Sequence, residues 1–183
     1  MEFRLIYRGP LASNGDREEK QAIRRAIHVQ MARLWSQPPL EESKLLVLAA
    51  RGTAGTDLRD VGPFCFLPLV TRSRALVAEL DITFLRPGTP GQIVGHGGDI
   101  DNRIKTLLDA LRVPTTAGEL PAGDRPQDGE EIFFCLLEDD ALVTRLAVTA
   151  DQLLEPAAPE EVLLVINVRP RATQAQWNNV GLG

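Results

Sequence analysis

The chain has 183 residues, 44% hydrophobic and 25% charged, with a net charge of −5; that supplies apolar side chain for one core and excludes a disordered or fibrous protein. The longest apolar runs, "EVLLVINV" and "KLLVLAA", are too short to span a bilayer, and the charged start "MEFRLIYRGP" is unlike a signal peptide, so a cytoplasmic protein with no membrane attachment is expected. Two histidines and two cysteines argue against a zinc site, and the acidic balance argues against a uniformly basic surface while allowing a local basic face or a bound cation.

The opening "EFRLIYRGPL" reads as a short strand ended by Gly9-Pro10, with "ASNGD" as a turn or helix lead. From Arg17 to about Trp35, Ile23, Ile27, Met31 and Leu34 recur at helical spacing, while Arg17, Lys20, Arg24 and Arg33 fall elsewhere on the circumference. "SQPP" stops that helix. "SKLLVLAA" reads as a strand and "RGTAGTDLRDVGP" as a polar loop. In "RALVAELDITFLRP", Leu76, Ala78, Leu80, Ile82 and Phe84 alternate with polar residues, the period of a half-buried strand.

After the glycine-rich "GTPGQIVGHGG", Ile104, Leu107, Leu108 and Leu111 mark the buried face of a second helix, which Pro114 closes. Residues 114–130 are rich in Pro, Gly and acid and are expected to form a mobile loop. "EIFFCLL" and "ALVTRLAV" read as strands on either side of the acidic corner "EDD", residues 138–140, and "EEVLLVINVRP" as the last strand. The expected fold class is α+β: a single domain over residues 1–170 with a mixed or antiparallel sheet and two main helices, followed by a flexible tail, 171–183. Cys65 and Cys135 fall in apolar runs and are expected to be buried free thiols. His28 lies beside the core stripe and reads as structural, His96 reads as an exposed loop residue, and Asp57, Asp60, Asp124 and Asp128 occupy loops without an assigned function.

Chemistry concentrates in "HGGDIDNRIKTLLDAL". In an extended lead, Asp99 and Asp101 project to the same side, and two crowded carboxylates repel unless a cation intervenes. Hard oxygen ligands suit magnesium or manganese. Lys105 stands four residues after Asp101, on the same face of the helix, where its ammonium can balance the acids or hold charge growing on a phosphate. The helix N-terminus adds positive potential at the same place. Asp as a helix cap and an Asp–Lys pair one turn apart are also ordinary structural features. What distinguishes this stretch is the second acidic cluster, Glu138, Asp139 and Asp140, at the end of a buried strand.

"GDIDNRIKTLLDAL" followed by "LEDDALV" resembles the RusA family of Holliday-junction resolvases. The family's pattern is Asp-x-Asp-Asn, a Lys three residues later, Asp-Ala-Leu, and downstream an Asp-Asp-Ala-x-Val corner. Element order also agrees, including Ser13-Asn14 in an N-terminal turn. The resemblance implies an α+β fold and a homodimer that cuts branched DNA with Mg2+ or Mn2+. It implies that Asp99, Asp101 and Asp140 are metal-binding carboxylates and Lys105 the essential lysine. Arg17, Lys20, Arg24, Arg33 and Arg103 are candidate DNA-backbone contacts. A competing expectation is a catalytically silent or differently specific relative that binds a cation, a nucleic acid or a protein partner.

Overall fold

The structure, a computed structural model, describes residues 1–52, 55–88 and 100–182. Asp99, His96 and the "GHGG" stretch lie outside the described residues. Seven strands and three α-helices are present among these: β1 (Phe3–Pro10), α1 (Arg17–Leu34), α2 (Leu40–Ala49), β2 (Arg59–Val61), β3 (Phe64–Val70), β4 (Leu76–Arg86), α3 (Ile100–Leu111), β5 (Phe133–Leu137), β6 (Val143–Gln152) and β7 (Glu161–Ala172). They build a four-stranded sheet, β1-β7-β4-β6, and a three-stranded sheet, β2-β3-β5. Each sheet is mixed: β6 runs parallel to β4 and β5 parallel to β3, while the other pairs are antiparallel. The expected α+β domain is observed, with a second sheet and a third helix.

β4 carries the main core because alternation places Leu76, Ala78, Leu80, Ile82 and Phe84 on one side, and all five are buried. Opposite them in β7, Val168, Ile166 and Leu164 pair with Leu80, Ile82 and Phe84 and are equally buried. Ile23, Ile27 and Met31 of α1 and Ile104, Leu107, Ala110 and Leu111 of α3 complete this core. A smaller cluster packs Phe64, Phe66 and Phe133 under Val113 and Leu120, with Phe64 edge-on to Phe133 at 5.6 Å between ring centroids. Cys65 and Cys135 are buried free thiols; burial pushes the Cys65 thiol up to about 11 and raises Cys135 further.

Two expectations are corrected. "SKLLVLAA" lies in α2 and not in a strand. Leu, Ala, Lys and Glu favour helix, Glu41 and Glu42 suit its first turn, and Val47 is the one β-branched residue in the run. Because Leu45 and Leu46 are exposed, this helix shows no apolar stripe, and its continuous apolar run imitates a strand. The segment 114–130 is packed, not loose: Leu120 and Glu130 are buried, and Arg25 of α1 binds Glu130 at 2.9 Å and Asp124 at 3.0 Å. The tail after β7 carries a 3-10 turn at Trp177–Asn179 and buries Asn179 and Leu182; the Asn179 amide donates to the carbonyls of Arg74 and Gln174.

His28 has the structural role read from its place on α1. Its Nδ1 accepts the Phe134 N–H at 2.9 Å and its Nε2 meets the Gly129 carbonyl at 3.3 Å, a pattern that requires a neutral ring donating through Nε2. Burial, opposed by the Gly129 carbonyl, lowers its pKa from 6.5. A base whose pKa falls on folding binds more protons unfolded, so stability is fully present above about pH 6.5 and falls as the pH drops below it. We expect urea midpoints to fall between about pH 7.5 and about pH 5.5, with a smaller decrease in His28→Gln. In the same assay, Ile82→Ala should cost about 2–5 kcal/mol, whereas Leu154→Ala, at an exposed site, should stay within about 0.5 kcal/mol.

Candidate active site

Helix α3 presents two faces. One, with Ile104, Thr106, Leu107, Ala110 and Leu111, is buried, and α1 and the residue before its cap, Gly15, hold it by polar ties. Thr106 Oγ1 accepts the Gly15 N–H at 3.0 Å, Lys20 binds Asp109 at 2.8 Å, and Arg24 donates to the Asp109 carbonyl at 3.0 Å. The other face carries Asp101, Lys105 and Leu108 at helical spacing. Asp101 is the second residue of the helix, not part of an extended lead, so its carboxylate leaves the first turn, where the helix dipole favours negative charge. Its Oδ1 accepts the Asn102 N–H at 2.7 Å. Leu108, expected on the buried face, is half-buried: it packs against the core and also lines the groove.

The acidic corner lies where the chain leaves β5 in one sheet for β6 in the other. Its three acids have separate environments. Glu138 is tied to the end of β3: its backbone N–H donates to the Val70 carbonyl at 2.9 Å, and its carboxylate accepts the Arg72 N–H at 2.8 Å and the Arg59 guanidinium at 2.7 Å. Asp139 caps the 3-10 turn Asp140–Leu142 by accepting the Ala141 N–H at 2.9 Å, and binds Arg72 at 3.0 Å. The Ala141 N–H first, then Arg72, hold the Asp139 carboxyl below its ordinary value, with a smaller contribution from a contact with Asp140. Asp140 is exposed, and no basic side chain among the described residues forms an ion pair with it.

The structure brings Asp101, Lys105 and Asp140 to one groove of about 370 Å³, walled by Ile100, Ile104 and Leu108 of α3 and Leu146 and Val148 of β6. Apolar walls of this kind lower the local dielectric and strengthen the effect of the charges they surround. The residues fit a hard divalent cation: two exposed carboxylates supply oxygen ligands, and magnesium binds through one or two carboxylates while keeping several waters. Among the described residues, no group of three or more His, Cys, Asp or Glu side chains is placed to hold a metal. The third expected carboxylate, Asp99, lies outside them.

The five basic candidates separate by position. Arg24 is 1% exposed, with its guanidinium turned to the Asp109 and Glu119 carbonyls and to Gln21, so the expectation of a surface contact there is corrected. Burial lowers its pKa to about 10. Lys20 is paired with Asp109, and Arg103 is half-buried and donates to the Leu11 carbonyl at 2.8 Å. Arg17 and Arg33 are exposed. Sequence reasoning missed Arg59 and Arg72, which neutralise two of the three corner acids, and Leu146 and Val148, which wall the groove. Three consecutive acids demand counter-ions, and that demand is the one signal pointing to the arginines. The lysine is exposed, and no helix among the described residues is long and apolar enough to cross a membrane.

Comparisons with family models, with curated proteins and with solved structures returned no match.

Proposed function

We propose that the protein is a metal-dependent endodeoxyribonuclease acting on branched DNA, with its active site in the α3–β6 groove. The observation that carries this reading is that Asp101, Lys105 and Asp140, from two distant stretches of the chain, line one groove. These are the residues that the RusA-like pattern assigns to chemistry. Asp101 and Asp140 are the carboxylates that would hold magnesium, and the RusA-like pattern adds Asp99, which lies outside the described residues. When bound, the ion supplies Lewis-acid polarisation of the scissile phosphate and a water of lowered pKa.

The chain's own groups do the rest. Lys105 places its ammonium where negative charge grows on the phosphate oxygens, and the start of α3 adds the positive end of the helix dipole. Exposed Arg17 and Arg33 are the candidate backbone contacts that remain once Arg24 is assigned to the core, Lys20 to Asp109 and Arg103 to the Leu11 carbonyl. A homodimer about a two-fold axis gives two equivalent sites, matching two symmetry-related strands of a four-way junction.

The test is cleavage of labelled synthetic four-way junctions, flaps and linear duplexes with magnesium. We expect junction cutting that stops on chelation, and loss of cutting in Asp101→Asn and in Asp140→Asn with thermal unfolding unchanged. Lys105→Ala should reduce the rate about 10²–10³-fold. No cutting of any of these DNAs by the folded protein would reject the nuclease reading and favour a silent cation- or partner-binding relative. Undiminished cutting by Asp101→Asn would reject the site.

A further inference from the structure

We propose that Arg59 and Arg72 are positioning residues of this groove: through Glu138 and Asp139 they fix the turn that presents Asp140 to the groove that Asp101 and Lys105 also line. The inference rests on the nuclease reading of the groove. Neither arginine lines that groove. Both instead line a separate cleft of about 440 Å³, together with Glu138 and Asp139.

The contacts form a chain that ends at Asp140. Arg74 is buried, binds Asp57 at 2.7 Å, and lies 4.9 Å from the Trp35 ring centroid. Ser73 and Thr71 also hydrogen-bond to the Asp57 carboxylate. The backbone of the same turn is closed by Leu76 N–H to the Thr71 carbonyl at 3.1 Å and Ala75 N–H to the Arg72 carbonyl at 3.0 Å. Arg72 therefore projects from a turn whose neighbours on both sides are fixed. From there its backbone N–H holds Glu138 and its guanidinium holds Asp139. Arg59 holds the remaining oxygen of Glu138. Asp139 in turn caps the short 3-10 turn that begins at Asp140.

Two physical points favour positioning over stability. The side chains of Arg72 and Asp139 are 58% and 40% exposed, and ion pairs so open to solvent add little to folding. Without the arginines, Glu138 and Asp139 would be two unbalanced acids beside Asp140, free to swing toward any cation in the groove. Neutralising them leaves Asp140 as the corner's ligand.

The experiment measures Mn2+ affinity without DNA, kcat and KM on a four-way junction with magnesium, and thermal unfolding. It compares the wild type, Arg72→Ala, Arg59→Ala, Asp139→Asn, and Arg72→Ala combined with Asp139→Asn. Second-layer partners of metal ligands typically change affinity or activity about 10–100-fold. We expect losses of that size in Mn2+ affinity and kcat for Arg72→Ala, with KM and unfolding temperature unchanged, a smaller loss for Arg59→Ala, and partial recovery in Arg72→Lys. The double variant should be no worse than Asp139→Asn alone, because both act through one contact. An additive double variant, or a raised KM at unchanged kcat, would overturn the proposal by showing that Arg72 meets DNA directly. Variants equal to a wild type that cuts and binds Mn2+ would overturn it alone. A folded wild type that neither cuts nor binds Mn2+ would remove the nuclease reading and this proposal with it. If the wild type binds Mn2+ without cutting, the Mn2+ affinities decide.

Discussion

Helix α3 buries Ile104, Leu107, Ala110 and Leu111 against the main core while Asp109, Thr106 and the helix backbone are tied to α1 and to Gly15 just before it, and the 3.6-residue repeat then leaves Asp101 and Lys105 facing away from that contact. The groove exists because β6 stands at the sheet edge opposite this outward face. Disturbing the α1–α3 contact would rotate the charged face and dismantle the site without touching any of its residues. Packing and proposed chemistry are therefore two consequences of one amphipathic helix.

Charge is arranged with comparable economy. Most arginines near the site have a structural partner: Arg25 ties the 114–130 segment to α1, Arg59 and Arg72 balance the corner, and Arg74 pairs with Asp57 beneath the corner's supporting turn. Asp101 and Asp140 form no ion pair with a basic side chain among the described residues, and Lys105 lines the same groove. A carboxylate pair left unbalanced beside one ammonium suits a divalent cation better than a structural salt bridge, since like charges brought together favour an ion that bridges them. The acidic net charge of the chain is consistent with this, because the basic residues largely serve the fold.

Much of this was legible from residue order alone. The period-two pattern of β4, the stripe of α1 and the face of α3 were readable because each element buries one side and exposes the other. The pairing of Asp140 with Asp101 and Lys105 was readable only through the RusA-like pattern, since no local rule connects a helix start to a strand end. The failures have physical causes. α2 was read as a strand because its exposed leucines erase the helical period. Residues 114–130 were read as loose because Pro and Gly content reports backbone preference and is blind to the ion pairs with Arg25. Arg24 resembles a surface residue in the sequence because its carbonyl partners, Asp109 of α3 and Glu119, are distant along the chain.

The central claim is that the carboxylates of α3 and of the acidic corner share one cation. A crystal structure of the protein grown with manganese tests it most directly. An anomalous peak in the α3–β6 groove, coordinated by Asp101 and Asp140, is the predicted result. Ordered carboxylates turned apart, with manganese absent from the groove or bound elsewhere, would contradict it.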